Sequence, residues 1–255
     1  QILLYQALNW DVPTFAHLPM ILGHDKKRLS KRHGATGVQS YRDEGYQPEA
    51  LLNYLSLLGW NPGTEEEVMS ISEIIKKFDL SKVHKKGAVF DEKKLNWISG
   101  LHLARQPNKD ILSGIRKISV DWGTTKSNDF CNGVIDLMKS RSKSLVELVD
   151  QSDYYFNDLI EFDEKALRKS WKEDTPNMVG SIKQVLDSLE DWNSDTLQET
   201  MKSCMEENNL GFGKVMKPVR LALCGTVNGP SLFSIMELIG KDASNQRIQH
   251  ALDHL

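Results

Sequence analysis

The clearest structural signal in the sequence is the stretch PEALLNYLSLLG, which runs from Pro48 to Gly59. A proline suits the first turn of a helix and a glycine commonly ends one, so the stretch predicts a helix over residues 48–58. Apolar side chains recur in it at helical spacing, and we expect the buried stripe to consist of Leu51, Leu52, Leu55 and Leu58. These residues indicate an amphipathic helix in a globular domain.

Similar helical patterns continue on both sides of this stretch, whereas alternating strand patterns are scarce. The residues predicted to cap or open further helices are Ser72, Asp91, Thr175 with Pro176, Ser194, Gly229 with Pro230, and Ser244. One short strand is predicted between Leu18 and Leu22. The sequence therefore predicts a mainly α fold whose short helices are stabilised by packing against one another.

Length and composition are those of an ordinary globular protein. The chain has 255 residues, of which 40% are hydrophobic and 26% are charged, so intrinsic disorder is not expected. No apolar run reaches the roughly 18 residues that a membrane span needs. The three cysteines are too few and too far apart for a disulfide framework or a zinc site. We expect them to be small core residues of a cytoplasmic protein.

The net charge of −3 gives no general sign of nucleic-acid binding, but the charges are unevenly placed. Residues 1–150 contain 21 basic and 18 acidic residues, whereas residues 151–255 contain 11 and 17. All five basic residues of the first 35 lie between Lys26 and Arg32. So local a concentration of positive charge predicts an anion-binding segment with phosphate as the natural ligand.

The segment GHDKKRLSKRHGA, from Gly23 to Ala35, combines cations, a hydroxyl and glycines in one predicted loop. Such a loop can hold a polyphosphate and stabilise charge that develops in a transition state. It lacks the glycine spacing of a P-loop. On the residues alone, a solvated basic turn is an equally good interpretation.

The order of motifs resembles a known family. Arg28-Leu29-Ser30-Lys31-Arg32 resembles the KMSKS signature of class I aminoacyl-tRNA synthetases, and the run from Lys27 to Ala35 resembles its bacterial-type glutamyl-tRNA synthetase version. Further matching segments are Phe15 to Pro19, Pro48 to Trp60, Phe78 to Leu80, Ala88 to Asp91, Lys94 to Trp97, Lys214 to Cys224 and Gly229 to Phe233. The resemblance spans almost the whole chain.

The resemblance implies a carboxyl-terminal fragment, because no HIGH signature of the nucleotide-binding domain occurs. It implies a mainly α fold, with a short remnant of the class I catalytic domain, a stem-contact domain and a two-part helical anticodon-binding region, the α-helix cage. The implied boundaries are 1–25 for the end of the catalytic region and 26–105 for the KMSKS loop with the stem-contact domain. The anticodon-binding subdomains would cover 106–155 and 156–255. The helical region separates the chain from glutaminyl-tRNA synthetases, whose anticodon region is a β-barrel.

For the loop, the resemblance implies roles in handling ATP. Lys31 would be the catalytic residue that stabilises the ATP phosphates while the adenylate forms. Arg28 and Ser30 would bind ATP together with Lys31, although lysine is common at the position of Arg28. Catalysis would consist of positioning and electrostatics with Mg²⁺ and ATP, and no residue of this chain is predicted to bind a metal.

For the anticodon region, the resemblance implies contacts with tRNA. Arg220 would contact the first anticodon base, with Gly229, Pro230 and Leu232 beside it as a platform at a helix N-terminus. Arg141 falls near the position that reads the third anticodon base. The alternatives are structural: Arg220 can belong to an apolar helix, and Leu232 to the core.

Two further features have a structural and a functional interpretation. Trp97 is either a core residue or a platform on which a base stacks. The lysines that either follow a phosphate backbone or form a solvated face are Lys82, Lys85, Lys86, Lys93 and Lys94.

The implied function is that of the tRNA-binding part of a ligase. The parent enzyme would join L-glutamate to tRNA-Glu through glutamyl-adenylate, using ATP with Mg²⁺, as a cytoplasmic monomer without a membrane partner; tRNA-Gln is a further candidate substrate. The fragment alone would be inactive and would bind no cofactor. One alternative is a stand-alone RNA-binding or regulatory module derived from a synthetase. Another is a helical interaction protein with a fortuitous basic loop, which would bind RNA only weakly and in a salt-sensitive way.

Overall fold

The structure, a computed structural model, describes residues 1–30, 37–157 and 162–255. Its contacts divide the chain into two compact units. The first unit comprises residues 1–41 and 48–98, and the second comprises residues 42–47 and 99–255. The described residues are mainly helical, as the sequence predicts.

The secondary structure of the first unit is sparse. Its elements are α1 (Ile2–Ala7), β1 (Ile21–Leu22), α3 (Pro48–Ser56), α4 (Ile71–Lys77), a 3₁₀ turn (Leu80–Lys82) and β2 (Ala88–Val89). Two helices contribute residues to both units, namely α2 (Val38–Asp43) and α5 (Glu92–Arg105).

The second unit consists of helices joined by short connections. They are α6 (Asn108–Ile118), α7 (Asn128–Met138), α8 (Leu145–Gln151), α9 (Glu164–Ser170), α10 (Thr175–Asp187), α11 (Ser194–Glu207), α12 (Phe212–Cys224), α13 (Leu232–Ile239) and α14 (Lys241–His254). A 3₁₀ turn, Asp153–Tyr155, follows α8.

The predicted strand near the N-terminus is present but shorter than expected. β1 pairs in parallel with β2, with Ile21 opposite Ala88 and Leu22 opposite Val89. The backbone N–H groups of Ala88 and Phe90 donate to the carbonyls of Met20 and Leu22. This two-strand ribbon therefore ties the start of the chain to the residues just before α5.

The helix predicted at residues 48–58 forms as α3, which ends two residues earlier, at Ser56. Leu51 of the predicted stripe is buried, but the rest of the buried face differs from the prediction. Leu52 and Leu55 are 44% and 37% exposed, whereas Ala50 and Tyr54 are fully buried. The difference arises from Asn53, which is also fully buried. Its amide group donates to the carbonyl of Glu67 at 3.0 Å and accepts from the N–H of Met69 at 2.9 Å. The helix is turned so that this polar side chain satisfies the backbone of the following segment.

Several predicted helix caps are shifted by a few residues. Ser70, not Ser72, caps α4, because its hydroxyl accepts from the N–H of Glu73 while the Glu73 carboxylate accepts from the N–H of Ser70. Ser244 lies inside α14 and donates to the carbonyl of Gly240. Thr175, predicted as a cap, is instead the first residue of α10, and Asp174 is at the N-cap. The helix predicted at Ser194 starts where expected, with Asn193 at its N-cap.

The core of the second unit is built around α10 and α12. α10 packs against α11, α12 and α14, and α13 packs against α7, α11 and α14. The three cysteines are buried and free, as the sequence predicts. A second group of contacts joins α6 to α7 and α8, so this unit has one continuous apolar core.

Gly45 anchors the segment 42–47 to the start of α8. Its carbonyl accepts from the N–H of Leu145 at 3.1 Å. Its φ is +77°, and a Cβ at this position would lie 2.8 Å from the nitrogen of Val146. Only glycine fits this left-handed, closely packed position.

In the part of the chain that the structure describes, no helix is both long and apolar enough to cross a lipid bilayer. The same residues contain no group of three or more histidine, cysteine or acidic side chains placed to hold a metal ion.

Candidate nucleic-acid interface

The basic segment begins on a tight hairpin in the first unit. β1 turns back at Gly23, and Leu22 and Arg28 form an antiparallel bridge. The N–H of Gly23 donates to the carbonyl of Lys27 at 2.8 Å, and the Asp25 carboxylate accepts from the N–H of Lys27 at 3.0 Å. Lys26 occupies the left-handed region, with φ of +60°. This turn presents neighbouring cations to solvent on a backbone fixed by hydrogen bonds.

The hairpin rests on β2 through a close backbone contact. A Cβ at Gly87 would lie 2.9 Å from the carbonyl oxygen of Met20. The absence of a side chain at Gly87 therefore lets the two segments approach closely enough to pair.

The residues predicted to bind ATP are only partly covered by the structure. Arg28 is exposed at the end of the hairpin, and Ser30 is half-buried with a partner inside the protein. Lys31, the predicted catalytic residue, lies outside the described residues. The ATP assignments therefore remain predictions.

Trp97 is a surface residue, so the core interpretation of its indole is wrong. Asp91 caps α5 by accepting from the N–H groups of Lys93 and Lys94 at 2.9 and 3.2 Å. With the N-terminus of α5 fixed at Asp91, Leu95 faces the core and is fully buried, whereas Trp97 is 50% exposed. A half-exposed indole on a capped helix is an available stacking surface for a nucleobase.

The lysines around the start of α5 form two groups. Lys82 donates to the carbonyl of Pro62 at 3.3 Å, and Lys94 forms an ion pair with Glu67. The side chains of Lys85, Lys86 and Lys93 are exposed. The interpretation as a solvated face therefore does not hold for all five lysines, because Lys82 and Lys94 contact other residues of the first unit.

A separate cleft of about 1060 Å³ lies in the second unit. Its wall is built from three segments: residues 138–141 at the end of α7, residues 150–157 from the end of α8 through the 3₁₀ turn, and residues 224–229 at the end of α12. Arg141 and Gly229, which the sequence predicts as tRNA contacts, both line it. The fold therefore brings together two predicted residues that are far apart in the sequence.

Arg220 lies beside this cleft with unused hydrogen-bonding capacity. Its Nη1 is buried and has no hydrogen-bond partner within the described residues. A Cβ at Gly229 would lie 3.1 Å from that nitrogen and 3.7 Å from the hydroxyl oxygen of Tyr154. The guanidinium thus occupies space left by the missing side chain of Gly229. A buried donor without a partner is costly, so this nitrogen is a strong candidate to donate to a ligand.

The other two predicted platform residues are packed into the protein. Leu232 is 2% exposed in the core, and Pro230 is buried. The prediction that Gly229 and Pro230 open the helix is wrong. α13 begins at Leu232, and its N-cap is Ser231, whose hydroxyl accepts from the N–H of Ser234. Of the three residues, Gly229 alone lines the cleft.

The buried thiol and phenol groups in and beside the cleft stay protonated. Burial raises the pKa of Cys224 to about 12, against the opposing influence of Arg220 and Arg247. Burial also raises the pKa of Tyr154 and of Tyr155 well above the ordinary phenol value, although Arg220 lowers both. Near neutral pH these groups are neutral and add no negative charge that would repel a polyanion.

Several residues of the cleft were missed in the sequence. Examples are Asp150, Tyr154 and Asn228, which line it together with Arg141. Their spacing follows no motif, because they come from the end of a helix, a 3₁₀ turn and a loop. The sequence signal nearest to them is the change in charge balance between residues 1–150 and 151–255.

Comparisons with known proteins agree with this picture. Residues 104–252 match the family model of an anticodon binding domain, and residues 1–97 match that of the catalytic domain of class I tRNA synthetases (E and Q). The chain is similar to a glutamate–tRNA ligase of Moorella thermoacetica, with 39% identity over 98% of this chain and 53% of the relative. Another glutamate–tRNA ligase, from Flavobacterium johnsoniae, is also 39% identical, over 100% of this chain and 54% of the relative.

Two solved structures also resemble it. A glutamate tRNA ligase from Elizabethkingia meningosepticum, crystallised in complex with its amino acid, has a TM-score of 0.82 and 36% identity. The match covers 100% of this chain and 54% of the Elizabethkingia meningosepticum chain. A glutamate-tRNA synthetase from Elizabethkingia anophelis has a TM-score of 0.79 and 35% identity, over 99% of this chain and 53% of that one.

The chain thus spans about half the length of the curated relatives it matches. The anticodon binding domain model covers more than half of the residues of this chain, and the two relatives match 98% and 100% of the chain. The chain therefore belongs to the family of this anticodon binding domain, its first 97 residues match the catalytic domain of class I tRNA synthetases (E and Q), and the relatives it matches are glutamate–tRNA ligases.

Proposed function

We propose that this chain binds tRNA-Glu, with the cleft of the second unit as the site that receives the anticodon. The observation that carries the proposal is the buried, unpartnered Nη1 of Arg220 beside a cleft lined by Arg141 and Gly229. An RNA base supplies acceptors for such a donor, and an arginine offers them a planar fork of N–H groups. Trp97 would stack on another unpaired base.

The whole protein, on this proposal, joins L-glutamate to tRNA-Glu by way of glutamyl-adenylate. Its relatives carry the name glutamate–tRNA ligase, and the first 97 residues match the class I catalytic domain. ATP and Mg²⁺ would act on the parent enzyme, where Arg28, Ser30 and Lys31 would hold the phosphates. Residues 1–255 alone would bind tRNA without charging it, and tRNA-Gln is a further candidate substrate. The parent would work as a monomer in the cytoplasm.

The proposal divides the chain functionally into four parts. Residues 1–25 would close the catalytic region, and residues 26–105 would carry the KMSKS loop and contact the acceptor stem. Residues 106–155 and 156–255 would be the two anticodon-binding subdomains. The cleft supports this arrangement, since its walls come from residues 138–157 and 224–229.

Binding of the 255-residue chain to tRNA-Glu and tRNA-Gln transcripts at moderate, fixed salt tests the proposal. Arg220→Ala should weaken tRNA-Glu binding by about tenfold, because it removes charge-assisted hydrogen bonds to the RNA. Arg168→Ala is the matched control. It removes the same charge from an exposed residue of α9 that pairs with Glu164, outside the cleft. Equal affinities of the wild type and Arg220→Ala would assign Arg220 to structure.

A further inference from the structure

Asp150 is a carboxylate in the cleft that the fold itself does not explain. It lies in the last turn of α8, is exposed, and lines the cleft. Negative charge at a helix C-terminus is unfavourable because the helix dipole is negative there, and α8 has no basic residue in that turn. No ion pair or side-chain hydrogen bond involves Asp150 within the described part of the chain. Its charge is therefore not compensated by the protein.

Arg141 lines the same cleft and is also uncommitted. Its side chain is exposed, and among residues 1–30, 37–157 and 162–255 it forms no ion pair and no side-chain hydrogen bond. One cleft thus contains a strong donor and a strong acceptor that do not pair with each other. Such an arrangement is complementary to a ligand that presents an acceptor and a donor side by side.

A second carboxylate in the cleft provides an internal comparison. Asp153 lines the cleft two residues beyond α8, but its Oδ1 accepts from the side-chain amide of Asn157 at 2.6 Å. Asp153 therefore has a protein partner, whereas Asp150 does not. The two residues carry the same charge in the same cleft and differ in whether an acceptor remains available.

We infer that Asp150 is a specificity-determining residue that accepts a hydrogen bond from the N4 amino group of a cytosine held in the cleft. This inference rests on the proposed binding of an anticodon there. Cytosine presents an amino donor next to ring acceptors, which fits a carboxylate beside an arginine. Uracil has a carbonyl oxygen where cytosine has the amino group. The Asp150 carboxylate would repel that oxygen, so it favours cytosine and also acts against uracil.

The test uses the 255-residue chain and RNA hairpins with the anticodon loop of tRNA-Glu, at fixed salt. In one series, each cytosine of the anticodon is replaced singly by uracil. The measured quantity is the ratio of affinities for the cytosine and uracil hairpins. Asp150→Asn should lower this ratio by about tenfold at one position, because an amide can turn either its N–H₂ or its oxygen to the base. Binding of the uracil hairpin should become tighter, since a negative charge next to RNA has been removed.

Asp153→Asn is the control, because it makes the same charge change in the same cleft. It should leave the ratio of the wild type unchanged at every position. A lowered ratio in Asp150→Asn together with an unchanged ratio in Asp153→Asn supports the inference. An unchanged ratio in Asp150→Asn, or equal losses in both variants, overturns it. Failure of the wild type to bind any hairpin beyond weak, salt-sensitive association would instead refute the proposed function.

Discussion

Gly229 shows how a residue without a side chain can shape a binding site. Its φ is +150°, and a Cβ added there would lie only 3.1 Å from Nη1 of Arg220, so the guanidinium has just enough room beside the cleft. The sequence singled out Gly229, Arg141 and Arg220 as candidates, because arginines and a glycine–proline pair are recognisable signals. It did not predict that Gly229 and Arg220 would depend on each other, since that dependence arises from a contact between two segments.

We predict that Gly229→Ala weakens binding of the anticodon hairpin about as much as Arg220→Ala does. The added methyl group would push the guanidinium away and strain the backbone. A double-mutant cycle measures this dependence. The double variant should bind no more weakly than either single variant, whereas additive losses would contradict a shared mechanism.

Cys224 lines the cleft but should be chemically inert. Burial raises its pKa to about 12, and the thiolate is the reactive form of cysteine. Burial also raises the pKa of Cys131 and of Cys204. We expect a thiol-specific reagent at pH 8 to label the native chain at least about a hundredfold more slowly than the denatured chain. A single fast-reacting thiol in the native protein would contradict this.

At the scale of elements, α3 illustrates where sequence periodicity succeeds and where it fails. Pro48 correctly marked the start of the helix, because local backbone preferences act within a few residues, and Gly59 placed its end two residues too late. The predicted buried face was right at Leu51 and wrong at Leu52 and Leu55. The difference arises because Asn53 is held by backbone groups of Glu67 and Met69, which lie in another part of the sequence. Local patterns carry no information on such partners. For the same reason the cleft residues from the 3₁₀ turn were not found.

Asn53→Leu should destabilise the first unit by about 2–4 kcal/mol, because the Glu67 carbonyl and the Met69 N–H would lose their buried partner. The two side chains are similar in size, so the lost hydrogen bonds dominate the effect. Urea denaturation followed by circular dichroism measures the change. Leu52→Asn is the control on the exposed face of the same helix, and it should alter the free energy of unfolding by less than about 0.5 kcal/mol. Similar effects of the two substitutions would refute the role of Asn53.

At the scale of the whole molecule, net charge is a poor guide to the proposed RNA partner. The value of −3 is the sum of a net charge of +3 in residues 1–150 (21 basic, 18 acidic) and of −6 in residues 151–255 (11 basic, 17 acidic). For binding RNA, the relevant features are cations exposed to solvent, as at Lys85 and Lys86, and arginine donors without a partner among the described residues, as at Arg220. Composition cannot give this information, because it depends on which charges the fold pairs internally.

The buried tyrosines make the stability of the chain depend on alkaline pH. Burial raises the pKa of Tyr54 to about 12, and it also raises the pKa of Tyr154 and of Tyr155 above the ordinary value near 10. Between the unfolded and folded pKa values the native state holds more protons. The free energy of unfolding should therefore fall as pH rises above about 10.

Urea denaturation at pH 8 and at pH 10.5 measures this effect. The free energy of unfolding should be lower at the higher pH, and Tyr54→Phe should reduce the difference between the two. That substitution should also cost about 1 kcal/mol at pH 8, because the N–H of Asp91 donates to the Tyr54 hydroxyl at 2.7 Å. If Tyr54→Phe leaves the difference in the free energy of unfolding between pH 8 and pH 10.5 unchanged, the pH dependence arises from other groups.

The shielding of all three thiols has a practical consequence. A cysteine introduced at an exposed position, such as Lys85 or Arg168, would be the one site that a maleimide dye modifies in the folded protein. Fluorophores can therefore be attached without first removing the native cysteines, and the core that those cysteines help to fill stays intact. A dye pair placed in this way would report, by energy transfer, how far apart chosen points lie before and after RNA is added.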